Sequence, residues 1–330
     1  MPNKTVSLAA GGGGKAMSEL IGGLLFKYFK NNELHEMRDA SYLSLIGELA
    51  FSTDSFIITP EVFPGGDIGK LAVAGTTNDL ACSGAIPRYL SCSLIISEGY
   101  DLSQLELVIA SMAAAADEAG VDIVTGDTKV VPHGELSGLF INTAGIGVVA
   151  KRTNDYANIK AGDKIIITSD IARHGVAVFL ARKELGFTGQ IESDCNILCN
   201  MLNSVLDYGV HFIRDATRGG VAAVLNEVAE RSSLGVLLRE TQIPLREDVS
   251  HFCDTLGFDP LAVANEGVAV VIVDSADADQ VLSTIRSHSA GVRAAICGEV
   301  TANKGVLLET VIGGKRYVEM PLGEILPRIC

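Results

Sequence analysis

Tryptophan is absent from this chain, and aromatic residues make up only 5% of it. A core of this length must therefore be filled by Val, Ile, Leu and Ala, which suits layered helices and strands. Positive charge is scarce: 26 Lys and Arg stand against 40 Asp and Glu, a net charge of -14. Such a chain repels phosphate backbones, which argues against nucleic-acid binding. It can accept a nucleotide only if a divalent cation stands between carboxylates and phosphates. Long apolar runs are missing too. The stretch from Leu136 to Ala150 is uncharged, but it is too short and too interrupted by glycine to span a bilayer. No secretory signal precedes the 7 cysteines, and an odd, scattered set reads as reduced thiols in the cytoplasm.

At 330 residues the chain exceeds the size at which one core keeps growing, so two domains are expected. Residues 1–16 read as a mobile glycine-rich arm leading into a helix over Ala16 to Phe29. A first α+β block follows, with strands at Phe56–Thr59, Leu90–Ser97, Val121–Thr125 and Leu139–Val149. Its helices are Ile68–Ser83 and Leu102–Ala119. A second block carries strands near Ile165, Phe212, Val236, Val268–Val273 and Ala294–Cys297. Its helices fall near 175–185, 193–208, 219–231 and 277–287, with a hairpin turn at Gly313-Gly314. Strand pairs between single helices predict mixed sheets covered by helices, an α+β fold rather than a Rossmann rhythm. The expected divisions are an arm and helix (1–40), an N-terminal domain (41–155), a C-terminal domain (156–312) and a tail (313–330).

The common phosphate signatures fail. Gly65-Gly66-Asp67-Ile68-Gly69-Lys70 approaches a Walker loop, but Lys70 is followed by Leu, so the spacing and the metal-binding hydroxyl are both missing. Gly145-Ile146-Gly147 lies late in an apolar run without a following helix and reads as glycine in a crowded strand. Asp54, Asp79 and Asp127 stand beside Gly or Thr where strand and loop edges are predicted. One aspartate in a turn usually bonds its own backbone. Three together are the hard oxygen ligands that Mg²⁺ accepts. Asp215-Ala216-Thr217-Arg218-Gly219-Gly220 opens a predicted helix and offers a cation, a hydroxyl and backbone N–H groups to an anion, or else plainly caps the helix. Cys195 and Cys199 share helical spacing and read as packing residues. His133, His174 and His211 are candidate polar site residues, although nothing in their spacing argues for it.

These segments occur in a recognisable order. Gly11 to Lys15, Ser52 to Ser55, Pro64 to Lys70, Thr77 to Leu80, Thr125 to Val131, Asp215 to Gly220 and Asn265-Glu266-Gly267 together resemble the HypE family of hydrogenase maturation proteins, the carbamoyl dehydratases. The terminal Pro327-Arg328-Ile329-Cys330 matches that family's signature, whereas the other motifs are shared with relatives of aminoimidazole ribonucleotide synthetase and selenophosphate synthetase. The resemblance implies a two-domain fold of that superfamily, a homodimer paired through N-terminal domains, and ATP with Mg²⁺. It also implies two partners, a HypF carbamoyltransferase that loads Cys330 and a HypC–HypD complex that carries the iron. The reaction it implies turns S-carbamoyl on Cys330 into thiocyanate, the source of cyanide for the iron of [NiFe] hydrogenase.

Under that reading Asp54, Asp79 and Asp127 hold metal. Asn78, Gly126, Thr128, Asp215, Thr217, Arg218, Gly219 and Gly220 surround the nucleotide. Lys15 and Lys129 bring positive charge to the transferring phosphoryl group, and Glu266, or else a histidine, is the base. Two other readings compete: a different synthetase of the superfamily, and a non-catalytic scaffold. A reactive arm cysteine expected of the former is missing between Gly11 and Lys15.

Overall fold

The computed structural model describes residues 5–183, 186, 187 and 189–323. Helix α1 (Lys15–Leu20) continues through a π turn, Ile21–Leu25, to Tyr28. The chain ahead of it is held from Thr5 onward rather than free. Val6 is buried and exchanges backbone hydrogen bonds with Gly99 and Tyr100, while Gly11 lies so close to Val130 that a Cβ there would meet backbone nitrogen at 2.4 Å. The apolar pair Val6 and Ala10 docks this stretch, a signal hidden by the glycines that follow.

The first sheet contains β1 (Leu49–Phe56), β2 (Ala85–Ser97), β3 (Asp122–Val131) and β4 (Leu139–Val149), ordered β1-β4-β2-β3. Two of these differ from expectation. The first strand ends where Phe56–Thr59 was expected to begin, so Asp54 lies within it. The third runs on through Gly126-Asp127-Thr128, because parallel pairing with Ser91–Ser97 keeps that segment extended. Gly126 serves packing: a Cβ would sit 2.2 Å from the Cys92 carbonyl oxygen.

Helix α2 (Ile68–Cys82) crosses one face of this sheet and α3 (Leu102–Ala119) packs beside it. Helix α2 is apolar nearly all round, as a helix buried on every side must be. The Asp67 carboxylate caps it by accepting from the Gly69 and Lys70 amides at 2.7 and 3.1 Å. The Walker-like stretch is thus a helix start. Gly75 lets β1 approach, since a Cβ would meet the Phe56 ring at 2.7 Å. The opposite sheet face leaves Leu49, Phe51 and Ile95 exposed.

The second domain is built on a seven-stranded mixed sheet among the described residues. Its strands are β5 (Lys164–Ile167), β6 (Val210–Asp215), β7 (Gly235–Arg239), β8 (Ala269–Val273), β9 (Ala295–Thr301), β10 (Gly305–Glu309) and β11 (Lys315–Tyr317), ordered β11-β10-β7-β9-β5-β8-β6. Helices α4 (Arg173–Arg182), α5 (Gly220–Ser232), α6 (Glu247–Leu256) and α7 (Ala278–Arg286) accompany it. The helix expected over 193–208 shrinks to Cys199–Asn203, leaving Cys195 outside it. The unexpected α6 turns only three buried side chains, Val249, Phe252 and Cys253, toward the core.

Asn78 ties the domains together. Its Nδ2 donates to the carbonyl oxygens of Asn196 and Glu266 at 2.9 and 3.3 Å, and its Oδ1 accepts from the Leu198 amide at 2.8 Å. The Asn78 side chain is therefore spent on backbone rather than offered to a nucleotide. Replacing it by alanine strands buried backbone groups on the other domain. Asn78→Ala is expected to lose about 3 kcal/mol of stability, measured as a lower urea midpoint.

Candidate active site at the domain seam

A cleft of 470 Å³ opens between the domains. On one side, β1 presents Asp54 and α2 presents Asp79, whose Oδ2 accepts from Ser52 Oγ at 2.7 Å. Asp79 lies in the last helical turn, not at a loop edge. On the other side stand Asp215, at the end of β6, with Thr217 and Arg218. Thr217 Oγ1 donates to the Asp215 carboxylate. Gly219 and Gly220 follow with positive φ, 72° and 59°, and Gly220 is packed within 2.5 Å of where a Cβ would meet the Leu261 and Val263 carbonyls. These glycines set the turn into α5.

Glu266 forms part of the cleft wall while remaining almost wholly buried. Its loop is fixed from three directions. Asp194 Oδ2 accepts from the Glu266 and Gly267 amides, both at 3.2 Å, and Asn78 reaches the Glu266 carbonyl. Asn265 accepts from the Ala172 amide and donates to the Ala216 carbonyl, each at 2.7 Å. Gly267 has no room for a side chain, as a Cβ would lie 1.9 Å from the Asp194 carbonyl oxygen.

Burial and neighbouring charge raise the proton affinity of three of these carboxylates. Burial pushes Asp79 up to about 7, and the charges of Asp215 and Asp54 add to it. Burial, then Asp215, raises Asp54. Burial, then Asp194, holds Glu266 well above the carboxylate range, with Arg218 acting in the opposite sense.

The cleft thus gathers Asp54, Asp79, Asp215, Thr217, Arg218 and Glu266 from the expected set. It does not gather Asp127. Lateral register runs from Asp127 through Ser93 and Asn142 to Ser55, which places Asp127 on the sheet face opposite Asp54. The two also lie on opposite edge strands, about 14 Å apart at ~4.8 Å per strand. The expected trio of Asp54, Asp79 and Asp127 is therefore not assembled within one chain, and Asp215 takes the third place beside Asp54 and Asp79. Among the described residues no three His, Cys, Asp or Glu side chains stand close enough to cage an ion by themselves.

Gly126, Asp127 and Thr128 instead border a separate pocket of 180 Å³ under α1. Lys129, two residues after Asp127, shares its outward face. Lys15 is exposed and pairs with Glu19 at 3.6 Å. Sequence reasoning missed Arg214 and Glu227, which pair in the cleft, and Asp194 beneath Glu266. Arg214 directly precedes a recognised aspartate, but Asp194 carries no local signal.

Six cysteines, Cys82, Cys92, Cys195, Cys199, Cys253 and Cys297, are buried and free. Cys330 lies outside the described residues. The chain leading to it is placed as far as residue 323. Val318 is buried, its carbonyl accepts from Asn226 Nδ2 at 3.0 Å, and Pro321 lies against Gly219 beside the cleft.

The raised Asp79 carboxyl makes stability depend on pH. The folded state holds this proton more tightly than the unfolded chain, whose ordinary value is 3.8. The group therefore costs nothing at low pH, and stability falls as pH rises from about 4 to about 7. Asp79→Asn is expected to raise the melting temperature over wild type by several degrees at pH 8 and to leave it unchanged at pH 3.5, read by calorimetry.

The chain is similar to proteins of known family. The model for the N-terminal domain of AIR synthase related proteins matches residues 37–149, and that for the C-terminal domain matches residues 160–309. Carbamoyl dehydratase HypE of Escherichia coli K12 is 45% identical over 98% of this chain and 99% of its own length. A crystal structure of the hydrogenase maturation protein HypE in complex with ATP superposes with a TM-score of 0.94. It is 43% identical, covering 99% of this chain and 100% of that one. A HypE–HypF complex structure gives a TM-score of 0.81 at 42% identity, covering 92% and 99%. On full-length identity and fold, this chain belongs to the carbamoyl dehydratase HypE family.

Proposed function

We propose that this protein is an ATP-dependent carbamoyl dehydratase that converts S-carbamoyl on its own Cys330 to thiocyanate, the cyanide source for [NiFe] hydrogenase iron, in the cytoplasm. One observation carries the reading: a carboxylate-rich cleft with a buried, ionisable Glu266 in its wall lies where the described tail, at Pro321, reaches Gly219. Cys330 lies seven residues beyond position 323, a reach of roughly 23 Å at ~3.3 Å per residue. The tail is long enough to bring a sulfur into the cleft.

The chemistry follows from the amide. Its oxygen is a poor leaving group until phosphorylated. Attack of that oxygen on the γ-phosphorus, with loss of one N–H proton, gives a phosphorylated imidate and ADP. Loss of the second N–H proton as phosphate departs leaves the C≡N triple bond on sulfur. Glu266, in the cleft wall, is the base that receives a proton from nitrogen on this reading. Its burial makes the carboxylate a stronger base than an exposed one. Arg218 and Thr217 at the start of α5 suit an anionic phosphate.

Asp54, Asp79 and Asp215 form a hard-oxygen donor set, and their mutual repulsion is what a cation would relieve. A set too open to cage an ion alone suits Mg²⁺, which keeps waters and phosphate oxygens as ligands. When bound there, Mg²⁺ would neutralise phosphate charge that an acidic protein otherwise repels. The HypE–ATP and HypE–HypF structures of relatives support ATP as the phosphoryl donor and a HypF-type carbamoyltransferase as the loading partner. Delivery to a HypC–HypD complex belongs to the same proposal.

Two copies pair through the outward face of the first sheet, where Leu49, Phe51 and Ile95 lie bare. Lys129 and Asp127, remote from the cleft of their own chain, serve the cleft of the other copy. The expected result is complementation: Lys129→Ala and Asp79→Asn proteins are each inactive, and a mixture refolded together regains a fraction of wild-type ATP-dependent turnover. No recovery in verified mixed dimers would sink the shared site.

The function itself is tested by intact mass. With carbamoyl phosphate, the loading carbamoyltransferase, ATP and Mg²⁺, the chain is expected to gain one carbamoyl and then lose one water. Cys330→Ala is expected to gain nothing. A carbamoyl that persists while ATP is consumed would refute the dehydratase.

A further inference from the structure

The stretch from Ile191 to Leu198 runs along the domain seam, with Asp194 wholly buried at its middle. The first domain grips it on both sides of Asp194. The Ser193 amide donates to the Pro64 carbonyl at 2.7 Å, and Asn78 bonds the Asn196 carbonyl and the Leu198 amide at 2.9 and 2.8 Å. Gly65 meets the Ser193 backbone, and Gly267 meets the Asp194 carbonyl, each too closely for a Cβ. The Asp194 side chain is therefore fixed against the loop that carries Glu266. Its Oδ2 accepts from the Glu266 and Gly267 amides, both at 3.2 Å.

Holding two amides requires only a neutral oxygen, which asparagine would supply. The residue is an acid instead. Its second oxygen, Oδ1, is buried with no hydrogen-bond partner, and Glu266 Oε1 is in the same condition. His174 Nε2, at 3.9 Å, is beyond hydrogen-bonding distance of Oε1. Two buried acids thus share one loop junction, each with an oxygen that no donor satisfies. A buried charge without donors is costly, so the acid is surplus to the holding role. What the charge does reach is Glu266. After burial itself, Asp194 acts most strongly on that carboxyl, ahead of Asp215 and Asp54, with Arg218 opposing them. A fixed like charge penalises a second negative charge and favours uptake of a proton.

We propose that Asp194 is the positioning residue that makes Glu266 an effective base: clamped behind the Glu266–Gly267 backbone with one oxygen bare, it repels the ionised Glu266 carboxyl, and that repulsion is relieved when Glu266 takes the proton of the carbamoyl nitrogen. The inference rests on the dehydratase reading and adds a residue to it. In the step concerned, the N–H electron pair becomes the third bond between nitrogen and carbon. The C–O bond breaks, its pair leaves with phosphate, and the proton ends on Glu266. Asp194 touches neither carbamoyl nor nucleotide and acts only through Glu266. It governs dehydration and leaves ATP binding and Cys330 loading alone.

The test uses full-length protein carbamoylated on Cys330 by its loading partner, with loss of water followed by intact mass after ATP and Mg²⁺ are added. Asp194→Asn keeps an oxygen for the two amides and removes only the charge. It is expected to slow water loss at least about tenfold, with the KM for ATP and the extent of loading unchanged. A wild-type rate in Asp194→Asn overturns the proposal, because the residue would then merely hold the loop. A raised KM for ATP or a loss of loading overturns it as well. In a Glu266→Gln background, Asp194→Asn is expected to add no further loss, since its only route to the reaction is gone. An additional tenfold loss there places its action elsewhere and overturns the proposal. If Asp194→Asn does not fold, melting of Glu266→Gln decides: relief of the repulsion is expected to raise its melting temperature over wild type at pH 8, and no rise overturns the proposal. Failure of the wild-type protein to lose water refutes the dehydratase reading instead, so the two failures are distinct.

Discussion

Burial of acid at the seam between two domains is the constraint on which the rest of this structure depends. Asp79, Asp54 and Asp215 come from three different elements; Asp215 raises the cost of ionising both Asp54 and Asp79, and Asp54 adds to that of Asp79. Nothing in a single domain would hold them so. The seam is closed by neutral hydrogen bonds, chiefly those of Asn78, and by glycines at 65 and 267 that let backbone meet backbone. An amide such as Asn78, with its donors and its acceptor all committed to backbone, can impose one arrangement on groups that repel. Here it keeps carboxylates together where isolated charges would separate.

The same seam bears on the chemistry proposed for Glu266. An exposed glutamate is too weak a base for an amide nitrogen. A buried one with an unpaired oxygen is costly when ionised and correspondingly basic. The fold supplies the burial through Asp194, Asn265 and Asn78, none of which need touch substrate. The working residues and the holding residues are thus different sets with different costs of replacement.

Much of this was legible in the sequence where the signal is local. Leu102–Ala119 and Leu139–Val149 follow from periodicity alone, and the Gly313-Gly314 hairpin from turn chemistry. Asp215 to Gly220 reads as an anion seat because its residues are contiguous. Asp127 misled because a Gly-Asp step looks like a turn, while parallel pairing with β2 carries the strand straight through it. Asn78 misled because an amide beside Asp79 looks like a ligand; only tertiary contact reveals that its atoms are already committed. Asp194 was invisible as a site residue, since its meaning comes from Glu266, some 70 positions away in the chain.

The fastening of Val318 to Asn226 has a kinetic meaning on the proposed function. A sulfur carried by the same chain as its cleft meets that cleft without a bimolecular encounter, however dilute the protein. Acceptor and catalyst are then one molecule, so each copy handles a single one-carbon unit until another protein removes it. On that function the protein must be recharged after every transfer and behaves as a carrier as much as a catalyst.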